Sequence, residues 1–177
     1  RGCRMRPDMP KVERCPCGTG KTYKQCCRPL HVGDREAATA EELMRSRFAA
    51  FAKREIDYLI RTLHPEHEQA SRQMQVARRE LADVIDRHRY LELVVLEATA
   101  ADDEGVARVL FRARVFEKGA DRTFRELSEF AHDGRGLRYR SGQAAFADRF
   151  PRGGEPRTMA AFREALAGAG GVPRDGQ

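Results

Sequence analysis

The sequence contains no tryptophan, and aromatic residues make up only 7% of its 177 positions. Aliphatic side chains must therefore supply most of any hydrophobic core. Long apolar runs are also absent: the longest purely aliphatic one, Leu93 to Leu96, is far shorter than the roughly 20 residues that a membrane-spanning helix needs. Because 41% of the residues are hydrophobic and 34% are charged, the composition is typical of a soluble globular protein rather than a disordered chain.

Residues 1–14 lack the apolar segment of a signal peptide, since they are polar and basic. The chain begins at Arg1 instead of Met, and Met5 would suit a start of translation. We therefore expect a protein of the reducing cytoplasm. There, clustered thiols bind metal or take part in redox chemistry more often than they form structural disulfide bonds. Secretion with structural disulfide bonds is the alternative.

The net charge of +6 is concentrated near the N-terminus. Residues 1–36 contain nine Lys or Arg against four Asp or Glu, whereas the rest of the chain contains 24 against 23. Such an excess of cations would attract nucleic acid or an acidic partner. Alternatively, the cations neutralise a metal centre, because Zn²⁺ bound by four thiolates has a formal charge of about −2.

The cysteines are unevenly placed: four of the five lie in one stretch, CPCGTGKTYKQCC, which runs from Cys15 to Cys27. Zinc prefers four tetrahedral ligands, and four thiolates form a closed, structural set. Glycines within the stretch permit backbone conformations with positive φ that let amide groups point at sulfur. The pattern predicts a zinc site, with iron as a minor competitor.

Redox chemistry is the competing interpretation of the same residues. Adjacent Cys26 and Cys27 could form a strained disulfide bond, and the neighbouring Lys21 and Lys24 could lower their pKa values. The fifth cysteine, Cys3, is left over in either case, and we expect it to be an exposed thiol without a role.

These thirteen residues resemble the SEC-C module, a short zinc-binding segment named after the C-terminus of the SecA translocation ATPase. The resemblance includes the C-P-C-G, the G-K, the tyrosine and the final C-C, with Thr19 where the module usually has Ser. It implies that the zinc ligands are Cys15, Cys17, Cys26 and Cys27. It also implies docking on a protein partner, with ribosome contact as a further expectation.

A closed set of four thiolates leaves no coordination position for water or substrate, so the predicted zinc is structural and not catalytic. Because the surrounding segment is basic, we expect its docking surface to include Lys21, Lys24 and Arg28. Binding of nucleic acid or the ribosome through the same charges is an alternative.

Apolar residues recur with the period of a helix after a predicted linker at residues 29–36. The first predicted helix begins at Thr39, whose hydroxyl can cap a free backbone N–H while Glu42 caps back. A second helix covers Ile56 to Leu63, and a third runs from about Arg72 to Arg89.

The period then changes to 2, which predicts strands. The predicted strands are Tyr90 to Ala98, Val106 to Glu117, Thr123 to His132 and Gly136 to Ser141. Three helices followed by an antiparallel meander indicate an α+β fold, in which the helices cover one face of a curved sheet.

The predicted organisation has four parts. An irregular basic tail (1–14) precedes the zinc module (15–28), and a cone-shaped α+β domain (37–145), called the cone domain below, follows it. A C-terminal extension (146–177) combines a short helix at Thr158 to Ala167 with a flexible end.

Three segments of the larger domain are characteristic: Leu43 to Phe51, Asp57 to Leu59 and Thr62 to Pro65, together with E-x-S-x-F at Glu126 to Phe130. With the module, they resemble the YchJ family over about residues 15–142. This family pairs a SEC-C module with a middle domain similar to nuclear transport factor 2, which implies a cone of curved antiparallel sheet wrapped by helices. Many members carry a second SEC-C module where this chain has its predicted C-terminal helix.

Related cones include isomerases and dehydratases that use Asp or Glu with His or Tyr in an apolar cavity. By this resemblance the candidate pocket residues are Asp57, Tyr58, His64, Glu126, Ser128 and His132. Period 2 places the last three on one face of their strand. A carboxylate desolvated in such a pocket would have a raised pKa and could act as a base.

Four of these candidates also have a simpler structural interpretation. Asp57 would face solvent at a helix start, and Tyr58 would belong to the core. His64 would bond a backbone carbonyl at a helix end, and Glu126 would pair with a strand arginine such as Arg112. We therefore expect a non-enzymatic interaction protein first and a small-molecule-binding or catalytic cone second.

Arginines alternate along the predicted strands. A solvated sheet face is the simplest interpretation, and a phosphate-rich partner such as nucleic acid is the alternative. Cones of this kind often pair through the open sheet face, so a homodimer is a further expectation. The arginines concerned are Arg108, Arg112, Arg114, Arg125, Arg138 and Arg140.

Overall fold

The computed structural model describes residues 13–151 and 153–168 of the chain. The predicted basic tail lies outside this part except for Glu13 and Arg14, and Cys3 lies outside it too. The predicted flexible end likewise falls beyond the described residues from position 169 onward.

Helices and strands follow one another in the order that the periodicities predict. The helices are α1 (Arg28–His31), α2 (Ala40–Lys53), α3 (Ile56–Arg61), α4 (Met74–Arg87) and α5 (Met159–Gly168), and short 3₁₀ turns lie at Tyr23–Gln25, Glu68–Ser71 and Ala147–Arg149. The strands are β1 (His88–Ala98), β2 (Ala107–Glu117), β3 (Ala120–Asp121), β4 (Phe124–His132) and β5 (Leu137–Phe146).

The strands form one antiparallel sheet in the order β1-β2-β4-β5, with the short β3 paired to β2. Helix α2 packs across β1, β2 and β5 on one face of the sheet. This arrangement confirms the predicted α+β fold, with helices on one side of an antiparallel meander.

The start of α2 matches the prediction at one end of its capping box. The Thr39 hydroxyl accepts the Glu42 N–H at 3.1 Å, as expected. The Glu42 carboxylate accepts the N–H of Ala38 at 2.8 Å rather than that of Thr39. The reciprocal cap is thus one residue out of register, and the same carboxylate also binds Arg35.

Several predicted boundaries are wrong. The last strand continues to Phe146 instead of ending at Ser141, and the second helix ends at Arg61 instead of Leu63. The third helix ends at Arg87, because His88 already pairs with Glu117 of β2 and its ring reaches back 2.6 Å to the Val84 carbonyl. The segment predicted as a linker at residues 29–36 begins with a helical turn, α1, because Leu30 and His31 are buried beneath α2.

Along strand β2, buried apolar residues on one face alternate with residues of the opposite face, which include arginines, as predicted. The residues facing α2 are almost fully buried and form the main core with Phe48, Leu59 and Phe130. They are Ala107, Val109, Phe111, Ala113 and Val115.

The opposite face of the sheet is only partly solvated, contrary to the simplest interpretation of its arginines. Leu110 and Leu127 are buried there because α5 and the segment before it pack on them through Phe150, Met159 and Phe162. The C-terminal extension therefore supplies a second, smaller core and covers part of the face that a predicted homodimer would use.

Within residues 13–151 and 153–168, no helix has both the length and the apolar character needed to cross a bilayer.

Replacement of Phe162 by Ala tests the packing of α5. This side chain is fully buried in the second core, whereas Phe146 is 50% exposed. Phe162→Ala should lower the free energy of unfolding by about 3–5 kcal/mol, because it leaves a cavity in a packed cluster. Phe146→Ala should cost less than about 1 kcal/mol. Chemical denaturation measures both, and equal losses would contradict the packing of α5 on the sheet.

Candidate metal centre and the polar cluster of the cone domain

The four clustered cysteines converge on one point. Their sulfur atoms all lie within 4.8 Å of one another, with 3.4 Å between the Sγ atoms of Cys17 and Cys26 and 3.9 Å between those of Cys26 and Cys27. A tetrahedral zinc ion with Zn–S bonds of about 2.3 Å separates its sulfurs by roughly 3.8 Å. The four thiols, which form no disulfide bond, therefore fit such an ion.

The local backbone brings the two cysteine pairs together. The Cys15 N–H donates to the Lys21 carbonyl at 2.8 Å, which closes a bend containing Gly18 and Gly20. Both glycines have φ near +80°, at 82° and 78°, a conformation that other residues rarely adopt. The 3₁₀ turn at Tyr23–Gln25 then returns the chain toward this bend, so that Cys26 and Cys27 face the first pair.

Hydrogen bonds among the thiols separate their pKa values. The hydrogen bond with Cys17 raises the pKa of Cys15 to about 11. Hydrogen bonds with Cys15 and Cys17 raise the pKa of Cys27 well above its usual value. In return, bonds from Cys15 and Cys27 lower the pKa of Cys17. A divalent ion that binds four thiolates would displace the protons of these thiols.

The predicted docking cations surround this cluster. Lys21, Lys24 and Arg28 are all exposed, and within the described chain none of their side chains forms a hydrogen bond or an ion pair. Cys26 is the one half-exposed thiol of the four, so the cluster reaches the surface among these cations.

A buried histidine, which the sequence did not single out, fastens the module to the cone domain. The Nε2 atom of His31 lies 2.9 Å from the Ser46 carbonyl and must donate to it. Burial lowers the pKa of His31, and its Nδ1 atom lies 2.8 Å from the hydroxyl of Tyr23, which donates to the Glu55 carboxylate at 3.0 Å. The ring of Tyr58 also packs against His31, tilted by 46° with 4.6 Å between the ring centroids.

Further contacts fix the module against α2, α3 and β1. Arg45 donates to the Cys17 carbonyl at 3.0 Å, and Arg61 donates to the carbonyls of Leu30 and His31. A Cβ atom at Gly18 would lie 3.1 Å from the Leu93 carbonyl oxygen. The cysteine cluster is therefore held rigidly against the larger domain.

Glu126 and Ser128 meet as predicted, but with a partner that was not foreseen. The Ser128 and Tyr139 hydroxyls both donate to the same Glu126 oxygen, at 2.6 and 3.0 Å. The carboxylate lies over Gly142, where any Cβ atom would collide with it. Burial raises the pKa of Glu126, and the guanidinium of Arg47, 4.7 Å from the Tyr139 ring, opposes this rise.

The proposed pairing of Glu126 with Arg112 is wrong. Arg112 points to the opposite face of the sheet and binds Glu92 at 2.5 Å. Phe130, Tyr139 and the buried Arg47 instead pack around the Glu126 cluster.

The remaining pocket candidates do not join this cluster. Asp57 is exposed and paired with Arg78 at 2.7 Å, and His132 is exposed at the end of β4. Tyr58 is buried and donates to Ser46. His64 accepts the Glu66 N–H at 3.3 Å instead of bonding a carbonyl.

Among the surface clefts that the described residues form are two of about 540 and 430 Å³. Glu126, Ser128 and Tyr139 border neither of them.

Two known family models match the parts of the chain that contain the cysteine cluster and the Glu126 cluster. The model of the middle, nuclear transport factor 2-like domain of YchJ matches residues 39–142, and the model of the SEC-C motif matches residues 13–29. The chain belongs to the YchJ family. The first match contains the sheet and the Glu126 cluster, and the second contains all four clustered cysteines.

Individual relatives agree with this assignment. The UPF0225 protein of Geobacter sulfurreducens is 44% identical over 116 residues, which are 66% of this chain and 70% of the relative. The UPF0225 protein YchJ of Shigella dysenteriae is 37% identical over 116 residues, 66% of this chain and 73% of the relative.

A solved structure shows the same fold. The SEC-C motif containing protein of Rhodopseudomonas palustris superposes with a TM-score of 0.63 at 34% identity, over 74% of this chain and 98% of that one. A SEC-C motif containing protein of Psychrobacter arcticus has a TM-score of 0.61 at 23% identity, over 73% of this chain and 81% of that one.

Loss of one clustered thiol should weaken metal binding strongly. In Cys17→Ser, we expect the zinc affinity to fall by about a hundredfold or more, since a binding free energy of about 10–16 kcal/mol is shared among four ligands. Competition with a chromogenic chelator measures this affinity. Cys3→Ser is the matched control and should leave it unchanged. Equal affinities of the two variants would contradict the four-cysteine site.

The raised pKa of Glu126 predicts a pH-dependent stability. The carboxyl pKa of Glu126 is higher in the folded than in the unfolded chain. The contribution of the protonated carboxyl to the free energy of unfolding is therefore fully present below the unfolded pKa, and it is lost as the pH rises through the folded pKa. Glu126→Gln cannot ionise and should gain stability relative to the original chain between pH 4 and pH 8. Denaturation across this range tests it, and a constant difference would be contrary to expectation.

Proposed function

We propose that this chain is a zinc-dependent docking protein whose SEC-C module presents a basic surface to an acidic partner. The observation that carries the proposal is the combination of a closed four-sulfur cluster with three exposed cations that form no ion pair in the described chain.

The donor set supports zinc as the bound ion. Four sulfur ligands at these separations suit a tetrahedral, thiophilic metal, whereas magnesium and calcium prefer oxygen. With four protein ligands the ion would have no open position for water or substrate. It would supply folding energy to a segment too short to have a core of its own. Such a site needs reduced thiols, so we infer a reducing compartment.

The pattern of ion pairs supports docking through the module. On the sheet, Arg108, Arg112, Arg138 and Arg140 each bind an Asp or Glu of the same chain. Lys21, Lys24 and Arg28 bind none, so their charge is available to another molecule. The attachment through His31 and Arg45 would present these cations in a fixed arrangement, which lowers the entropic cost of binding.

Catalysis in the cone domain is less well supported. The Glu126 carboxylate has a raised pKa, as a general base would need, but packed side chains surround it and it borders neither surface cleft. The geometry therefore favours interaction over catalysis.

Charge removal on the module tests the docking proposal. The triple variant Lys21→Ala, Lys24→Ala, Arg28→Ala should capture its partner from bacterial extract at least about tenfold less well, because several interfacial charge pairs are lost at once. A matched triple variant, with Ala at the exposed and unpaired Arg79, Arg89 and Arg135, should capture it normally. Quantitative mass spectrometry of the captured proteins gives the readout.

Two results would contradict the proposal. Equal capture by both triple variants would show that the module's cations are not the docking surface. Capture that disappears after nuclease treatment, and that weakens steeply with salt, would show that the partner is nucleic acid instead of protein.

A further inference from the structure

Two arginines face each other on the outer side of the sheet. Arg112 of β2 and Arg125 of β4 are directly opposite in the antiparallel register, on the face away from α2. Side chains in such pairs have Cβ atoms about 5 Å apart, and like charges there repel each other. Something must offset this repulsion.

Arg125 is the more unusual of the two. It is only 7% exposed, yet its guanidinium forms no hydrogen bond or ion pair with any described residue. The guanidinium carbon lies 5.8 Å from the centroid of the Phe150 ring. Burial lowers the pKa of Arg125; the charge of Glu155 opposes this effect, and the charges of Arg112 and Arg157 add to it.

Both arginines also have an unsatisfied buried nitrogen. In the part of the chain that the structure describes, the Nε atoms of Arg112 and Arg125 are the buried side-chain polar atoms without a partner. Arg112 binds Glu92 through Nη2 only. Buried donors are normally paired, so two orphaned donors on adjacent arginines indicate a missing acceptor.

A cleft of about 540 Å³ borders Arg112, whereas the buried Arg125 is not among its lining residues. Arg112 lines it together with Arg114, Arg122, Thr123 and the exposed ring of Phe146. Its acidic residues are Glu92, Asp121 and Asp148, of which Glu92 binds Arg112 and Asp121 accepts from Thr123. Glu155 acts electrostatically on Arg125 without forming an ion pair with it.

We propose that Arg112 and Arg125 bind a phosphate group where Arg112 borders this cleft. A phosphate has enough acceptor oxygens to bond two guanidinium groups at once, and its charge would offset the repulsion between them. The cleft leaves room for an organic portion of the ligand, for which the Phe146 ring offers an apolar contact. The phosphate could arrive as the free ion or as a small phosphate ester.

Calorimetric titration of the full chain with inorganic phosphate, in chloride buffer of matched ionic strength, tests the site. Saturable binding is expected, weakened about tenfold or more in Arg112→Gln and in Arg125→Gln. The exposed Arg135 is the matched control, and Arg135→Gln should bind within about twofold of the original chain. Absence of saturable binding, or equal weakening by all three variants, would overturn the proposal.

A second titration with phenyl phosphate separates the two sources. Tighter binding than that of inorganic phosphate supports an ester as ligand, and equal or weaker binding supports the free ion. Either result is consistent with the site only if Arg125→Gln lowers the affinity for both ligands by a similar factor. If Arg125→Gln changes neither affinity, the proposal is overturned.

Stability gives an independent test that does not require tight binding. Arg125→Met removes a buried charge without a partner, so it should raise the melting temperature in phosphate-free buffer. Added phosphate should stabilise the original chain and not the variant. If Arg125 instead pairs with Glu155 in solution, Arg125→Met and Glu155→Gln would both lower the melting temperature without phosphate, which would contradict the proposal.

Discussion

The convergence of four sulfur atoms within 4.8 Å is the constraint on which the N-terminal part of the structure depends. Residues 13–29 are too few to bury a core, and their bends rely on positive-φ glycines and a few backbone hydrogen bonds. An ion shared by four thiolates would supply the missing folding energy at one point. The convergence of the four sulfur atoms at one site also sets the positions of Lys21, Lys24 and Arg28 relative to one another.

The attachment of the cysteine cluster to the cone domain joins the module and the cone domain into one continuous structure. The His31 ring contacts the rings of both Tyr23 and Tyr58 at tilted angles, and hydrogen bonds join His31 and Tyr58 to Ser46 on α2. Arg45 adds a direct bond to the Cys17 carbonyl. The module is thereby in direct contact with α2, which itself packs on the sheet. On the other side of the sheet, α5 builds a separate core, and the Arg112–Arg125 pair lies on that same face.

Local patterns predicted much of this structure. The alternation in β2 identified its buried face, Thr39 identified the start of α2, and the spacing of the cysteines identified the cluster. Predictions that depend on distant partners were less successful. Tyr139 reaches Glu126 only through the β4–β5 pairing, and Leu110 is buried only because α5 folds back onto it. His31 lies in a Pro- and Gly-containing segment that resembles a linker until α2 covers it.

The most direct test of the account is the metal content of the full chain, purified without added metal, together with its count of reactive thiols. We expect about one zinc ion per chain. Only Cys3 of the five cysteines should then react with a thiol reagent under native conditions. A protein without metal, in which Cys26 and Cys27 are joined by a disulfide bond, would contradict the zinc module and indicate a thiol-redox protein instead.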